Sequence, residues 1–256
     1  MSFRPRRSVL YMPGANERAL EKAKALAADA LILDLEDSVA PDAKAEARAK
    51  VAAAVKAGGY GKRELVIRIN GRDTPWGIED LKMAAEVNPH AVLVPKVARP
   101  GDIVNVSKIH AGMGGAEKTR MWAMMETPMA IFNVREIASV HQVARLACLV
   151  LAILPWLSMT LLAARAYGLD VIDGVYNDFR DEQGFRAECE QGRTLGMDGK
   201  TLIHPGQIAV CNELFSPAPE EIAWSRKIIA AFELPENAAK GVITVEGKMV
   251  ERLHLA

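Results

Sequence analysis

The chain has 256 residues, 50% apolar and 25% charged, and its 32 basic side chains cancel its 32 acidic ones. A disordered chain would need less apolar content or more net charge, and zero net charge argues against a general nucleic-acid surface. No run reaches the roughly 18 uncharged apolar residues of a membrane span, so no membrane partner is expected.

The nearest approach to a span, Leu149 to Leu162, contains Pro155 and Ser158 and reads as a buried strand followed by a helix. Met1 to Arg7 is basic, but the apolar run after it is short and lacks a small-residue cleavage site. No secretory signal is expected, and the expected location is the cytoplasm. Cys148, Cys189 and Cys211 are odd in number with no CxxC spacing, which points to buried thiols and not to a disulfide framework or zinc site. The one basic cluster is Arg4, Arg6 and Arg7.

Eight β-type runs follow in chain order: Ser8 to Met12, Ala30 to Leu35, Leu65 to Asn70, Ala91 to Val97, Arg120 to Met125, Ala147 to Leu151, Val171 to Tyr176 and Gly199 to Ile203. Several are apolar almost throughout, as strands covered on both faces must be. Helical spacing predicts helices between them, among them Asn16 to Ala27, Pro41 to Ala57, Gly77 to Val87, Pro128 to Val140, Leu157 to Tyr167, Gln183 to Leu195 and Gly206 to Phe215. This alternation is that of a TIM (β/α)8 barrel. A doubly wound sheet fits less well, because Pro13-Gly14-Ala15-Asn16 is not a GxGxxG turn. After Phe215 the alternation stops. Residues 1–216 are expected to form the barrel. Residues 217–256, with a helix over Glu220 to Phe232 and a short strand turning at Gly247, form a C-terminal appendage.

Barrel active sites lie where the strands end. The predicted ends carry Asp34, Glu36 and Asp37, then Arg68 and Asn70, Lys96, Glu126, Asn177 and Asp178, and His204-Pro205. Oxygen donors without clustered Cys or His favour Mg²⁺, which needs only one or two carboxylates beside waters and substrate oxygens. The three acids after strand two could equally cap the next helix, Lys96 could be a structural ion-pair partner, and Met124/Met125 reads as core packing. Arg68 lies in an otherwise apolar strand, where a charge must be paired or functional.

The segments RSVLYMPG (Arg7 to Gly14), LILDLEDSVAPDAK (Leu31 to Lys44), VIRIN (Val66 to Asn70), VPKV (Val94 to Val97), METP (Met125 to Pro128), DGVYND (Asp173 to Asp178) and GKTLIHPGQI (Gly199 to Ile208) resemble, in order, the citrate lyase β-subunit-like branch of the HpcH/HpaI aldolase superfamily. The resemblance implies a Mg²⁺-dependent TIM barrel that cleaves 3-hydroxyacyl-CoA thioesters of the citramalyl, malyl or citryl type to acetyl-CoA and a 2-oxoacid. Some relatives instead hydrolyse malyl-CoA. It further implies that Arg68 binds the 2-oxoacid carboxylate, that Glu126 ligates Mg²⁺, and that Glu36 and Asp37 surround the metal waters and Arg68. Arg7, His204 and Pro205 are assigned by the same resemblance to the CoA pocket. The C-terminal segment corresponds to a lid in which an acid, here Glu251, enters a neighbouring subunit's site, so a homotrimer or a multiple of it is expected.

One departure from the pattern is large. In relatives strand six runs into a Gly-Thr-Asn-Asp-Leu-like turn whose aspartate is the second metal ligand, whereas here Leu151-Ala152 passes directly to Ile153-Leu154-Pro155 and no aspartate lies between Asp102 and Asp170. Either the chain lacks the segment and holds Mg²⁺ weakly, or a mobile rim loop is missing from this sequence; the intact motifs on both sides favour the second. A barrel subunit without catalysis is the corresponding non-enzymatic reading.

Overall fold

A computed structural model of the chain describes residues 4–140, 144–146 and 154–255, which group into two compact units, Met1–Phe215 and Ser216–Ala256. The first unit alternates strand and helix: β1 (Ser8–Pro13), α1 (Glu17–Ala23), β2 (Ala30–Asp34), α2 (Lys44–Ala57), β3 (Glu64–Arg68), α3 (Gly77–Val87), β4 (Ala91–Val94), α4 (Pro100–Gly112), β5 (Arg120–Ala123), α5 (Pro128–Phe132), α6 (Val134–Ser139), β6 (Ala144–Leu146), α7 (Leu154–Ala166), β7 (Ile172–Asp173), α8 (Glu182–Leu195), β8 (Gly199–Leu202) and α9 (Ile208–Leu214). Every pairing in this sheet is parallel, and the order β6-β5-β4-β3-β2-β1-β8-β7 is that of an unrolled TIM barrel. No β6–β7 ladder closes the sheet among the described residues.

Successive side chains of a strand point to opposite faces, and the core divides accordingly. Leu10, Leu31, Leu33, Ile67 and Val92 pack outward with helical residues such as Leu20, Val51, Leu81 and Ile103. Val9, Ala30, Ile32, Val66, Leu93, Trp122 and Met124 pack inward. Both faces are therefore dry, which is why the strands read as nearly continuous apolar runs.

The N-terminal end of the barrel interior is filled by charge. Arg6 and Glu64, both buried, meet at 2.7 and 2.9 Å, Asp170 takes another edge of the guanidinium, and the Arg6 guanidinium carbon lies 5.6 Å from the Trp122 ring centre. At the opposite end, Gly14 lets the β1–α1 turn touch β2: its N–H donates to the Asp34 carbonyl at 2.9 Å, and a Cβ would stand 2.5 Å from that oxygen.

The second unit is α10 (Pro219–Glu233) followed by the antiparallel hairpin β9 (Val242–Val245) and β10 (Lys248–Glu251). Its two-residue turn, Glu246-Gly247, has φ of 48° and 78° at the two positions, which suits the right-handed twist of a hairpin. Ile228, Phe232, Ile243 and Val250 form its own small core.

Most boundaries fall close to those expected, with informative differences. Helix α4 was not among the segments singled out, its polar residues and central Asn105 having masked the pattern. The span Pro128 to Val140 splits at Asn133 into α5 and α6, and β7 shortens to two residues. Strand β6 lies at Ala144–Leu146, ahead of the expected run Ala147 to Leu151, which is outside the described residues together with Cys148. Cys189 and Cys211 are buried free thiols, and no helix among the described residues is long and apolar enough to cross a membrane.

Removing one partner of a buried ion pair leaves a charge uncompensated, at a cost of about 3–5 kcal/mol. Arg6→Ala, which strands the buried Glu64 carboxylate, is expected to lower unfolding stability by about that amount in denaturant titration; an unchanged midpoint would show that the Arg6 pair does not hold the barrel floor.

Candidate active site

Asp34 and Arg68 end two neighbouring strands and sit opposite each other in the β2–β3 register, on the inward face shared with Ile32 and Val66. They form a two-pronged pair, Arg68 Nε donating to Asp34 Oδ1 at 2.6 Å and Nη2 to Oδ2 at 2.7 Å. The Asp34 carboxylate also accepts the backbone N–H groups of Glu36 at 2.8 Å and Ser38 at 3.1 Å, which shapes the turn after β2. Burial acts to raise the Asp34 pKa, but the hydrogen bonds and charge of Arg68 outweigh it and hold the carboxyl below its ordinary range. Arg68 is further fixed by the Tyr11 ring, 4.9 Å from its guanidinium carbon.

With Nε and Nη2 committed, Arg68 presents Nη1 to the rim. That nitrogen lies 3.0 Å from Glu36 Oε2 and 3.4 Å from Asp37 Oδ2. The other Glu36 oxygen lies 3.0 Å from Lys96 Nζ. Despite these ion contacts, neither Glu36 oxygen makes a well-directed hydrogen bond, and burial raises the pKa of this carboxyl against the pull of Arg68 and Lys96.

The turn carrying Glu36 is held from below. Lys44 Nζ, itself buried, donates to the carbonyls of Leu35 at 2.9 Å and Glu36 at 2.6 Å, and Asn70 Nδ2 donates to the Leu35 carbonyl at 2.8 Å. Glu126, three residues past the end of β5, accepts the Lys96 backbone N–H at 2.6 Å. Lys96 achieves this with φ of 51°, a left-handed conformation that a non-glycine residue adopts at a cost and that clusters at functional sites. Burial raises the Glu126 pKa, outweighing the bond from Lys96. The Lys96 ammonium is exposed, and its ion contact with Glu36 raises its own pKa.

The structure thus brings Arg68, Glu36, Asp37 and Glu126 together. Asp34, Lys96 and Tyr11 complete the cluster. Of the two roles the sequence leaves open for Asp34, strand-end residue of the rim or cap of the next helix, the structure shows the first: it is the partner of Arg68 across the β2–β3 register. Between the loops after β3 and β4, beside this cluster, a cleft of about 400 Å³ is lined by Arg72, Asp73, Lys96, Arg99 and Asp102.

Arg7 does not belong to this rim, which corrects its assignment to a CoA pocket. It precedes β1 and is bound to Asp29, just before β2, through its backbone N–H at 2.9 Å and through Nε and Nη2 at 2.8 Å each. A strand of this length spans roughly 20 Å, so Arg7 and Asp34 stand at opposite ends of the barrel.

His204 follows β8 at the C-terminal end of the strands, the end that carries Asp34 and Arg68. Its ring stacks on Phe179 at 4.7 Å and 21°, and its Nδ1 accepts the Gly206 N–H at 3.1 Å. Pro205 opens a 3₁₀ turn, Pro205–Gln207. Glu251 ends β10 in the second unit.

A Mg²⁺ ion is not well provided for by these donors. Among the described residues no three His, Cys, Asp or Glu side chains gather as a metal-binding group. Glu126 already spends one oxygen on Lys96, and Glu36 faces two cations. The sequence contains no acidic residue between Glu136 and Asp170, so the whole sixth βα unit supplies no carboxylate. The residues present do not make the two-carboxylate site that the resemblance implied.

The chain is similar to known proteins over nearly its whole length. The chain is 48% identical over 269 aligned positions to a (3S)-malyl-CoA thioesterase of Cereibacter sphaeroides, covering 98% of this chain and 91% of that protein. It is 32% identical to an L-malyl-CoA/beta-methylmalyl-CoA lyase of the same organism, covering 97% and 91%. In fold it matches CitE of Mycobacterium tuberculosis, solved with magnesium, acetoacetate and coenzyme A, with a TM-score of 0.75, 26% identity and coverage of 98% and 94%. RipC of Yersinia pestis matches with a TM-score of 0.71, 27% identity and coverage of 84% and 97%.

The 269 aligned positions exceed the 256 residues of this chain, so the thioesterase carries at least 13 that have no counterpart here. The family match is itself broken into residues 7–154 and 153–205, which meet where the aspartate-bearing turn was expected. The sequence runs through this point unbroken, and the reading of an omitted loop gives way to a segment that this chain lacks. With both parts of the match in place over most of the barrel, the chain belongs to the HpcH/HpaI aldolase/citrate lyase family.

Proposed function

We propose that the chain acts on a malyl-type CoA thioester and hydrolyses it to the free acid and CoA. The observation that carries this reading is the 48% identity to the malyl-CoA thioesterase across 98% of the chain, against 32% to the malyl-CoA lyase. Hydrolysis therefore replaces carbon–carbon cleavage as the leading reading. The cleft beside the rim, with Arg72 and Arg99, suits the phosphates of a CoA tail.

The chemistry follows from the side chains present. The Lys96 ammonium and the Nη1 edge of Arg68 receive the free carboxylate of the acyl group, while Asp34 and Glu36 keep the two cations in place. Glu126, whose carboxyl is pushed towards protonation by burial, takes a proton from water. The water oxygen bonds to the acyl carbon, the C–S bond breaks, and CoA leaves as a thiolate that is then protonated. The acid/base task that the resemblance implies for Glu251, at the acetyl methyl carbon in carbon–carbon cleavage, has no counterpart in thioester hydrolysis.

A second reading, a barrel that keeps the fold without catalysis, is favoured by one observation: the absent carboxylate of the sixth βα unit. Incubation with (3S)-malyl-CoA separates the readings. Hydrolysis releases free thiol and malate, acetyl-CoA with glyoxylate would instead mark a lyase, and no product would mark the non-catalytic barrel. Arg68→Lys, which loses the fork to Asp34, is expected to lower kcat/KM by roughly 10- to 100-fold, corresponding to one or two charge-assisted hydrogen bonds; wild-type turnover would remove Arg68 from the mechanism.

Because one protein carboxylate remains for Mg²⁺, millimolar MgCl₂ is expected to leave the thermal unfolding midpoint in place. A ligand present at 100 times its Kd stabilises by about 2.7 kcal/mol, and a shift of that size would show that the metal site survives.

A further inference from the structure

The N-terminal face of the barrel, remote from the carboxylate cluster, contains a cleft of about 680 Å³. It lies between the segment leading into β1, the turn after α1 and the loop before β3, and its volume is in the range of small-molecule sites. Its polar lining is Arg4, Lys62, Arg63 and Asp29, and its apolar lining includes Pro5, Ala27 and Ala28.

The charge of this lining is unbalanced. Asp29 is its one acid, and both Asp29 oxygens are already occupied by Arg7. The nearby buried acid Glu64 is held by Arg6. Arg63 binds the carbonyls of Leu26 at 2.6 Å and Tyr60 at 2.9 Å, contacts that fix its guanidinium without neutralising it. Among the described residues, neither Arg4 nor Lys62 has an ion-pair partner. Three uncompensated cations thus surround one concavity.

The loop that presents two of them is built, not loose. Tyr60 is buried and donates its hydroxyl to the Leu20 carbonyl at 3.2 Å, while Gly58, Gly59 and Gly61 take φ of 67°, 88° and 61° around it. These positive angles reverse the chain sharply and bring Lys62 and Arg63 to the cleft.

We propose that this cleft is a second ligand site, for a small organic molecule carrying a di- or triphosphate, of the nucleoside triphosphate class. Clustered cations in a concave surface focus potential and attract a multiply charged anion, and arginine forks match phosphate oxygens. The volume exceeds what a phosphate chain needs, and the Pro5, Ala27 and Ala28 wall gives an apolar surface for the organic part. The proposal is independent of the thioester chemistry, since no residue of this cleft belongs to the rim.

The test is calorimetric titration of the full chain with ATP in metal-free buffer. One molecule per chain is expected, with affinity falling as salt rises. Lys62→Glu and Arg4→Glu should each weaken binding at least roughly tenfold, the loss of one charge-assisted contact. Arg72→Glu, which strips a cation from the rim cleft and so removes any ATP held there on the CoA-phosphate contacts, should leave in place the binding that Lys62→Glu and Arg4→Glu weaken. Neither Lys62 nor Arg4 supports another side chain, so the unfolding midpoints of these variants should match wild type. Absence of ATP binding would overturn the proposal, as would binding that survives Lys62→Glu and Arg4→Glu but is lost in Arg72→Glu.

Discussion

The fork between Arg68 and Asp34 organises the rim, because two adjacent parallel strands end at the same level with opposite charges facing the same interior. Desolvating either group alone would be prohibitive, so each requires the other. With Nε and Nη2 held by Asp34, Nη1 is the nitrogen left to face Glu36 and Asp37. The same Asp34 carboxylate caps the turn that carries Glu36, so the position of one acid follows from the position of another. Lys96, strained into a left-handed conformation, ties Glu126 and Glu36 to one loop by its backbone and its side chain respectively.

Below this layer the barrel interior is apolar, and at its far end Arg6, Glu64 and Asp170 form a second charged layer over Trp122. The arrangement explains why the strands look apolar in the sequence and yet end in charge. It also separates two arginines that are neighbours in the basic N-terminal cluster: Arg6 turns into the floor, and Arg7 grips Asp29 at the margin. Neither reaches the site, which is why a basic residue at the start of a strand was a poor guide to the ligand pocket.

Much of the site was legible in the sequence because strand alternation and strand ends are local properties. The charge of Arg68 in an apolar strand and the acids at 36, 37 and 126 mark the rim by local pattern alone. Asp34 was harder to interpret, since its role depends on the register between β2 and β3, and register is a pairing across the sheet. Lys96 was balanced between structure and function for the same reason: its φ of 51° and its contact with Glu126 arise only in the fold. The split of the fifth helical segment at Asn133 and the brevity of β7 are likewise tertiary outcomes. The shortfall after Leu151 was visible at once from the missing aspartate, and its effect on the metal is chemical: one carboxylate remains where the resemblance called for two.

The account places the fork at its centre, and a double-mutant cycle tests it directly. Unfolding free energies of wild type, Asp34→Asn, Arg68→Gln and the double variant give the coupling between the two side chains. The geometry predicts a coupling of at least about 2 kcal/mol, with either single variant destabilised because it strands a buried partner. Effects that add to within about 0.5 kcal/mol, as for independent sites, would contradict it.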